Sequence, residues 1–310
     1  MNILFWIANH SLEGQRSLED PMTIFAHQAR ALGHDCVWNP KNDQFLTDGA
    51  GINILVEGFT EDSIRVIAAA HDKGARFLCI ATEEPTPTGF NHGRDKEMVL
   101  RQKNFPLISK YLEGIFHLVP GEAVGNWYRQ FAPTAYVELG YAPNLMRMDN
   151  SEPEFDFGFF GSLTPRRLKI LKRLARYIGT TKAVRIEGTF ASQQERDRIM
   201  RQARVIVQVR KHEEMGLVSS SRCNTALCLG RPVIAEPHLL SKPWDEVIRF
   251  STSLDDFYKE ALMMRTAWRG AWARQFEVFK TKLTPQFCVG RAFQEIGFDT
   301  SAWKPQRKVA

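Results

Sequence analysis

Short apolar runs alternate with amphipathic stretches along the first half of the chain. Asn2–Ala8, Cys36–Trp38, Ile52–Val56, Ala75–Ala81, Gly114–Leu118 and Ala135–Leu139 are rich in branched, aromatic and small residues, the composition of buried strands. Pro21–Leu32, Thr60–Lys73, Met98–Ser109 and Gly121–Phe131 carry apolar residues at helical spacing. Gly33 and Gly74 stand just past two of these helices, and Thr60 or Asp62 stands near the start of one, as caps do. Asn9–Asp20 reads as a long polar loop. The repeated β-α-β order predicts a parallel sheet with helices on both faces. Gly140–Glu154 then loses periodicity and collects Pro, Asn and acids, the composition of a linker.

The pattern restarts beyond it. Asp156–Phe160, Ala183–Ile186, Arg204–Val209 and Pro232–Ala235 read as strands, and Arg166–Ile178, Ser192–Gln202 and Ser220–Leu229 as helices. Ser192 and Glu195 have capping-box spacing. Leu254–Lys280 reads as one long helix whose Trp268, Trp272 and Phe276 form a core-facing stripe. Pro285–Phe298 is a last helix and Lys304–Ala310 a frayed tail. The expected fold class is α/β, two Rossmann-like lobes facing a central crevice. Residues 1–145 would form the N-terminal lobe, 155–284 the C-terminal lobe, and 285–310 a C-terminal helix and tail.

A chain of 310 residues suits two such domains better than one. No apolar run approaches the roughly 20 residues of a membrane helix, and Met1–Ile7 lacks the basic flank of a signal peptide. A cytoplasmic protein is expected. Cys36, Cys79, Cys223, Cys228 and Cys288 include no Cys-x-x-Cys pair, so they read as small buried hydrophobes rather than disulfide or zinc ligands. The net charge of +6 is modest, but no acid occurs between Phe157 and Ile186, where Arg166, Arg167, Lys169, Lys172, Arg173, Arg176, Lys182 and Arg185 accumulate. A solvated helix face, a phosphate site, and an anionic surface contact through Leu163–Arg185 all fit that run.

Several chemistries are excluded by missing motifs. There is no Gly-x-Gly-x-x-Gly, no Gly-x4-Gly-Lys-Ser/Thr, no Gly-x-Ser-x-Gly, no spaced His/Cys set and no Asp-x-Asp. What remains is Phe155–Pro237. Its strand runs into Gly161, Ser162 and Thr164 and then a helix opening with Arg166 and Arg167. Free backbone N–H groups and two guanidiniums at a helix start suit a diphosphate. Arg210 and Lys211 follow a strand end and suit the same anion, or are plain surface charge. Glu213 or Glu214, before Gly216, could accept from ligand hydroxyls. Ser220, Ser221 and Arg222 open a helix and either cap it or reach phosphate, and Glu187 and Gly188 could meet a base edge.

These segments resemble glycosyltransferases of the two-lobed GT-B fold, particularly the bacterial spore-maturation-protein-like group. Gly-Phe-Phe-Gly-Ser-Leu-x-x-Arg-Arg looks like that family's donor-phosphate loop, and Ser-Arg-x-x-x-Ala-Leu-x-x-Gly-Arg-Pro-Val looks like its donor helix and following strand. Thr82-Glu83-Glu84-Pro85 and Glu138–Pro143 are weaker echoes. The resemblance implies a metal-independent transferase with no cofactor beyond its nucleotide-diphosphate sugar donor. The acceptor, be it glycan, lipid, protein or modified nucleic acid, stays open. Where such enzymes often carry a ribose-holding Glu, this chain has Thr225, with Asn224 beside it: either one of the two takes over that contact, or the donor sits differently, or donor binding is weaker. In the first lobe His10, Glu13, Glu83 and Glu84 are the candidate bases for an acceptor hydroxyl, with His92 a weaker one. A nucleotide-sugar epimerase or hydrolase, or a non-catalytic module binding a polyanion, are the alternatives.

Overall fold

A computed structural model describes the chain apart from residues 8, 9, 11, 40, 41, 48, 50, 94, 149–151, 180–183, 189, 191, 212, 214–217, 239–241 and 299–310, and the side chains of residues 12 and 13. It divides into two compact units, Met1–Leu139 with Thr284–Ala310, and Gly140–Leu283.

The first unit holds a 6-stranded parallel sheet of β1 (Asn2–Trp6), β2 (Asp35–Val37), β3 (Gly51–Val56), β4 (Phe77–Ala81), β5 (Leu112–His117) and β6 (Thr134–Tyr136), ordered β2-β1-β3-β4-β5-β6. Successive residues of each strand feed different cores. Ile3, Phe5, Ile52, Ile54 and Ile80 join Phe25 of α1 (Leu12–Ala31) and Phe293 of the terminal helix Arg291–Glu295. Trp6, Leu55, Cys79 and Ile115 join Ile67 of α2 (Glu61–His71), Phe105 of α3 (Lys96–Ser109) and Tyr128 of α4 (Glu122–Arg129). A sheet covered on both faces explains why its strands read as unbroken apolar runs.

The second unit holds a 5-stranded parallel sheet of β7 (Phe155–Phe160), β8 (Val184–Glu187), β9 (Ala203–Gln208), β10 (Val233–Ala235) and β11 (Arg249–Phe250), ordered β11-β10-β9-β7-β8. Its helices are α5 (Pro165–Ile178), α6 (Gln193–Arg201), α7 (Ser220–Cys228), α8 (Leu254–Thr266) and α9 (Trp268–Lys282). Phe157, Phe159, Val205 and Val207 pack against Leu171 and Leu174 of α5 and Phe257 of α8. All five cysteines are buried, as expected, and among the described residues none is in a disulfide.

Four expectations change. Helix α1 begins at Leu12 and runs through Pro21, so most of the expected polar loop is helix. An internal proline removes one backbone bond, and burial offsets it here: Met22, Phe25, Ala26 and Ala29 are all in the core, with Leu18 against it one turn upstream. The expected long helix over Leu254–Lys280 breaks at Ala267 (φ −112°, ψ 28°), giving α8 and α9. Trp272, in α9, stacks on Phe276 and donates its indole N–H to Leu227 O (2.9 Å). The expected last helix is a π-turn, Gln286–Gly290, followed by Arg291–Glu295. The segment read as a linker is laced to the second unit: Tyr141 N–H donates to Leu283 O (2.7 Å), Arg147 N–H to Cys228 O (2.9 Å), and the Arg147 side chain pairs with Asp197 at 2.7 Å.

Candidate functional site

Strand order reverses between β1 and β3 in the first sheet and between β7 and β9 in the second. Open α/β sheets take ligands beyond the carboxyl ends of strands at such reversals. Each unit carries a polar cluster there.

In the second unit the cluster is built on Glu236, which follows β10 and is 0% exposed. Both of its oxygens accept from Arg166, at 2.7 and 2.6 Å, and one also accepts from the Arg210 backbone N–H. The Arg210 guanidinium lies 3.7 Å from the same carboxylate. Arginine in the first turn of a helix opposes the helix dipole, and here Glu236 supplies its compensation. The Arg166 guanidinium also donates to Arg210 O (3.0 Å), and the N-cap residue Thr164 donates its hydroxyl to Lys211 O (3.0 Å). The start of α5 and the segment after β9 are thereby one piece.

Arg167 is turned inward. It donates to Val209 O (2.9 Å) and to Ser162 O (2.8 Å), and its guanidinium lies over the Phe159 ring. Burial pulls its pKa down to about 10. Arg222, in the first turn of α7, donates to Gln208 Oε1 and also lies over Phe159, 5.1 Å from the ring centre. Gly161 has φ +126°, and a Cβ there would come 2.5 Å from an Arg222 nitrogen. That is a physical reason for glycine: the backbone leaves β7 in a glycine-favoring conformation, directly beneath a guanidinium. Ser219 is the N-cap of α7 but makes no side-chain cap bond, so Ser220 and Ser221 open a helix without the expected serine cap.

Other expected donor-site residues are placed differently. Asn224 and Thr225 are each 1% exposed, because α7 is buried from Arg222 to its end. The Asn224 amide donates to Gly140 O (2.5 Å), and the Thr225 hydroxyl has no hydrogen-bond partner among the described residues. Neither side chain is open to a ribose in this conformation, which speaks against the first of the three expectations for this position. Glu187 ends β8, half-buried, and is paired with Arg185 of its own strand. Gly188 follows it, half-buried. Glu214 and Gly216 lie outside the described residues.

In the first unit, Glu57 follows β3 and is 1% exposed. Its Oε2 accepts from the N–H groups of Thr82 (2.8 Å) and Glu83 (3.0 Å), and its Oε1 lies 2.8 Å from the Tyr128 hydroxyl. Burial, then the neighbouring Glu83, pushes its carboxyl up to about 8. Glu83 is half-buried, accepts from the Asn91 side chain, and lies 3.7 Å from Arg101. Asn91 also accepts from Glu84 N–H (3.1 Å), and it adopts φ 51° to do so. His92, which follows, has φ 68°. Two consecutive non-glycine residues in the left-handed region mark local strain.

His10 is buried, with Nε2 3.3 Å from Val56 O. A carbonyl only accepts, so this nitrogen carries the proton. Burial and then Arg101 pull its pKa down to about 4. Glu13, expected in a loop, lies in the first turn of α1, where its side chain is outside the described residues. Sequence reasoning passed over Glu57, Tyr128, Asn91, Gln208 and Glu236. The one signal was a single acid directly after an apolar run, in Val56-Glu57-Gly58 and Ala235-Glu236-Pro237.

No family model matches the sequence, and no curated protein matches it significantly. Among solved structures the chain is similar to AviGT4, a glycosyltransferase involved in avilamycin A biosynthesis, with TM-score 0.57 and 11% identity over 98% of this chain and 100% of that one. It is also similar to Anabaena Alr3699/HepE in complex with UDP, with TM-score 0.53 and 12% identity over 98% and 100% of the two chains. At such identity the likeness shows the fold, which is the expected α/β class with two Rossmann-like units of the GT-B type. Among the described residues, no helix is long and apolar enough to cross a membrane.

Proposed function

We propose that this chain is a GT-B glycosyltransferase that moves a sugar from a nucleotide-diphosphate donor to an acceptor hydroxyl without a metal ion. The narrower resemblance to the spore-maturation-like group is part of the same reading. The observation that carries it is the cationic cluster at the reversal of the second sheet, where Arg166 and Arg210 share one buried carboxylate and Arg167 and Arg222 stand close by. Fixed positive charge around a partly buried site is what a departing diphosphate needs. In the transfer the acceptor oxygen bonds to the anomeric carbon. The carbon–oxygen bond to the phosphate breaks, its electron pair leaves on the diphosphate, and the acceptor proton passes to a base.

Among the candidate bases Glu83 is favoured. His10 has its Nε2–H engaged and a pKa near 4, too weak a base for neutral conditions. Glu83 is a half-buried carboxylate held by Asn91, next to a strained turn. The similarity to a structure holding UDP agrees with a nucleoside-diphosphate ligand.

The test is a thermal-shift panel of nucleoside diphosphates and nucleotide sugars on the wild type and Arg210→Ala. A stabilising diphosphate at 100 times its Kd contributes about 2.7 kcal/mol, and Arg210→Ala should lose most of that response, read as the shift from its own diphosphate-free Tm. No response from any diphosphate in the wild type refutes the proposal.

A further inference from the structure

The Tyr128 hydroxyl makes two contacts, 2.8 Å to Glu57 Oε1 and 3.0 Å to Glu83 O. It has one proton to give. The Glu83 carbonyl can only accept, so Tyr128 must donate there for that contact to be a hydrogen bond. The Glu57 contact then needs its proton on Glu57. The other Glu57 oxygen already accepts two backbone N–H groups, from Thr82 and Glu83, which leaves Oε1 as the oxygen that carries hydrogen.

The surroundings agree. Glu57 faces Glu83 and Cys79 from the β4 segment, Tyr128 from α4, and His10 from the segment after β1. Behind Tyr128, His117 stacks on its ring with centroids 6.1 Å apart. Burial pushes the Cys79 thiol and the Tyr128 hydroxyl well up and the His10 imidazole down, so all three are neutral near pH 7. The nearby cation, Arg101, pairs with Glu83 and Glu97. Ionised Glu57 would be a buried anion beside a second carboxylate, and buried charge without a partner is strongly disfavoured.

We propose that Glu57 is a positioning residue held as a neutral carboxylic acid, which donates to Tyr128 and, through Tyr128 and two backbone N–H groups, fixes the Thr82–Glu84 turn that presents Glu83. The chain of bonds runs Glu57 O–H to Tyr128 Oη, Tyr128 O–H to Glu83 O, and Thr82 and Glu83 N–H back to Glu57. Loss of the proton draws the Tyr128 hydrogen to Glu57 and frees the Glu83 carbonyl. The role given to Glu83 rests on the transferase reading above; the protonation state of Glu57 does not.

Glu57→Gln tests it, because an amide donates to Tyr128 and accepts two N–H groups as the neutral acid does. A carboxyl raised in the folded state, here to about 8, gives stability that is complete below its unfolded value and lost as pH rises through the folded one. The Tm of E57Q relative to wild type should therefore climb between about pH 5 and pH 8 and level off above. The infrared band of a protonated carboxyl should be present in wild type at pH 7 and absent in E57Q. A pH-independent Tm difference, no such band, or failure of E57Q to fold at pH 6 overturns the proposal, whether or not any sugar is transferred. Once a donor and acceptor are in hand, wild-type kcat should fall near pH 8 and E57Q should lack that fall. Tyr128→Phe should lower kcat more than it raises KM. An alkaline fall shared by wild type and E57Q overturns the positioning role alone.

Discussion

Glu236→Gln is the most informative single change in the second unit. The wild-type carboxylate accepts two hydrogen bonds from Arg166 and one from the Arg210 backbone, and it is fully buried between the two side chains. Glutamine keeps one acceptor oxygen and turns an amide N–H2 toward a guanidinium. Hydrogen bonds to charged groups contribute about 1.5–3 kcal/mol each, and removing one partner of a buried pair costs about 3–5 kcal/mol. The Arg166 side chain is 16% exposed and can regain some water, which puts the loss at about 2–4 kcal/mol. For a domain of about 150 residues this is a drop in Tm of about 4–16 °C. Denaturation of E236Q by calorimetry measures it. Inorganic diphosphate, added at saturation, should recover more stability in E236Q than in wild type, because it meets two guanidiniums released from their carboxylate. A Tm within 2 °C of wild type would refute the central place given to Glu236, about the shift that 1 kcal/mol or less produces.

Two further changes are read more simply. Gly161→Ala should destabilise by about 1–3 kcal/mol, since φ is +126° and the new Cβ meets Arg222; urea denaturation checks it, and diphosphate binding should fall with it because Arg222 is displaced. His10 is neutral when folded, with its pKa pulled down to about 4 from 6.5, so its contribution is present above about pH 6.5 and lost as pH falls toward 4. His10→Asn should flatten the acid side of the Tm–pH curve over that window.

The strands other than β11 were legible because a sheet buried on both faces leaves continuous apolar runs, and their ends fell within a few residues of expectation; the two-residue β11 was not expected. The helices were legible where a glycine or a cap marked them, as at Thr60 and Ser192. What was hidden depends on distant partners. Nothing local marks the break at Ala267, which follows from α8 packing on β9 and β10 while α9 packs on α7. Pro21 looked like a helix start because the burial of Leu18 and Met22, which carries the helix past it, comes from the rest of the core. Likewise Arg166 and Arg167 looked equivalent in sequence. One is held by a carboxylate 70 positions away and the other by backbone carbonyls. Glu57 and Tyr128, 71 positions apart, share a proton that no local pattern announces. The basic character of the helix start after β7 was visible; the acid that holds Arg166 was not.

Recognition of a diphosphate by the second unit is what the proposed transfer depends on. Its most direct measurement is calorimetric titration of the wild type with a nucleoside, its monophosphate and its diphosphate, for each common base. For at least one base the diphosphate should bind tenfold or more tightly than the monophosphate, about 1.4 kcal/mol, and Arg210→Ala should remove this difference. Equal affinity for monophosphate and diphosphate across all bases, or a preference that survives Arg210→Ala, would contradict it.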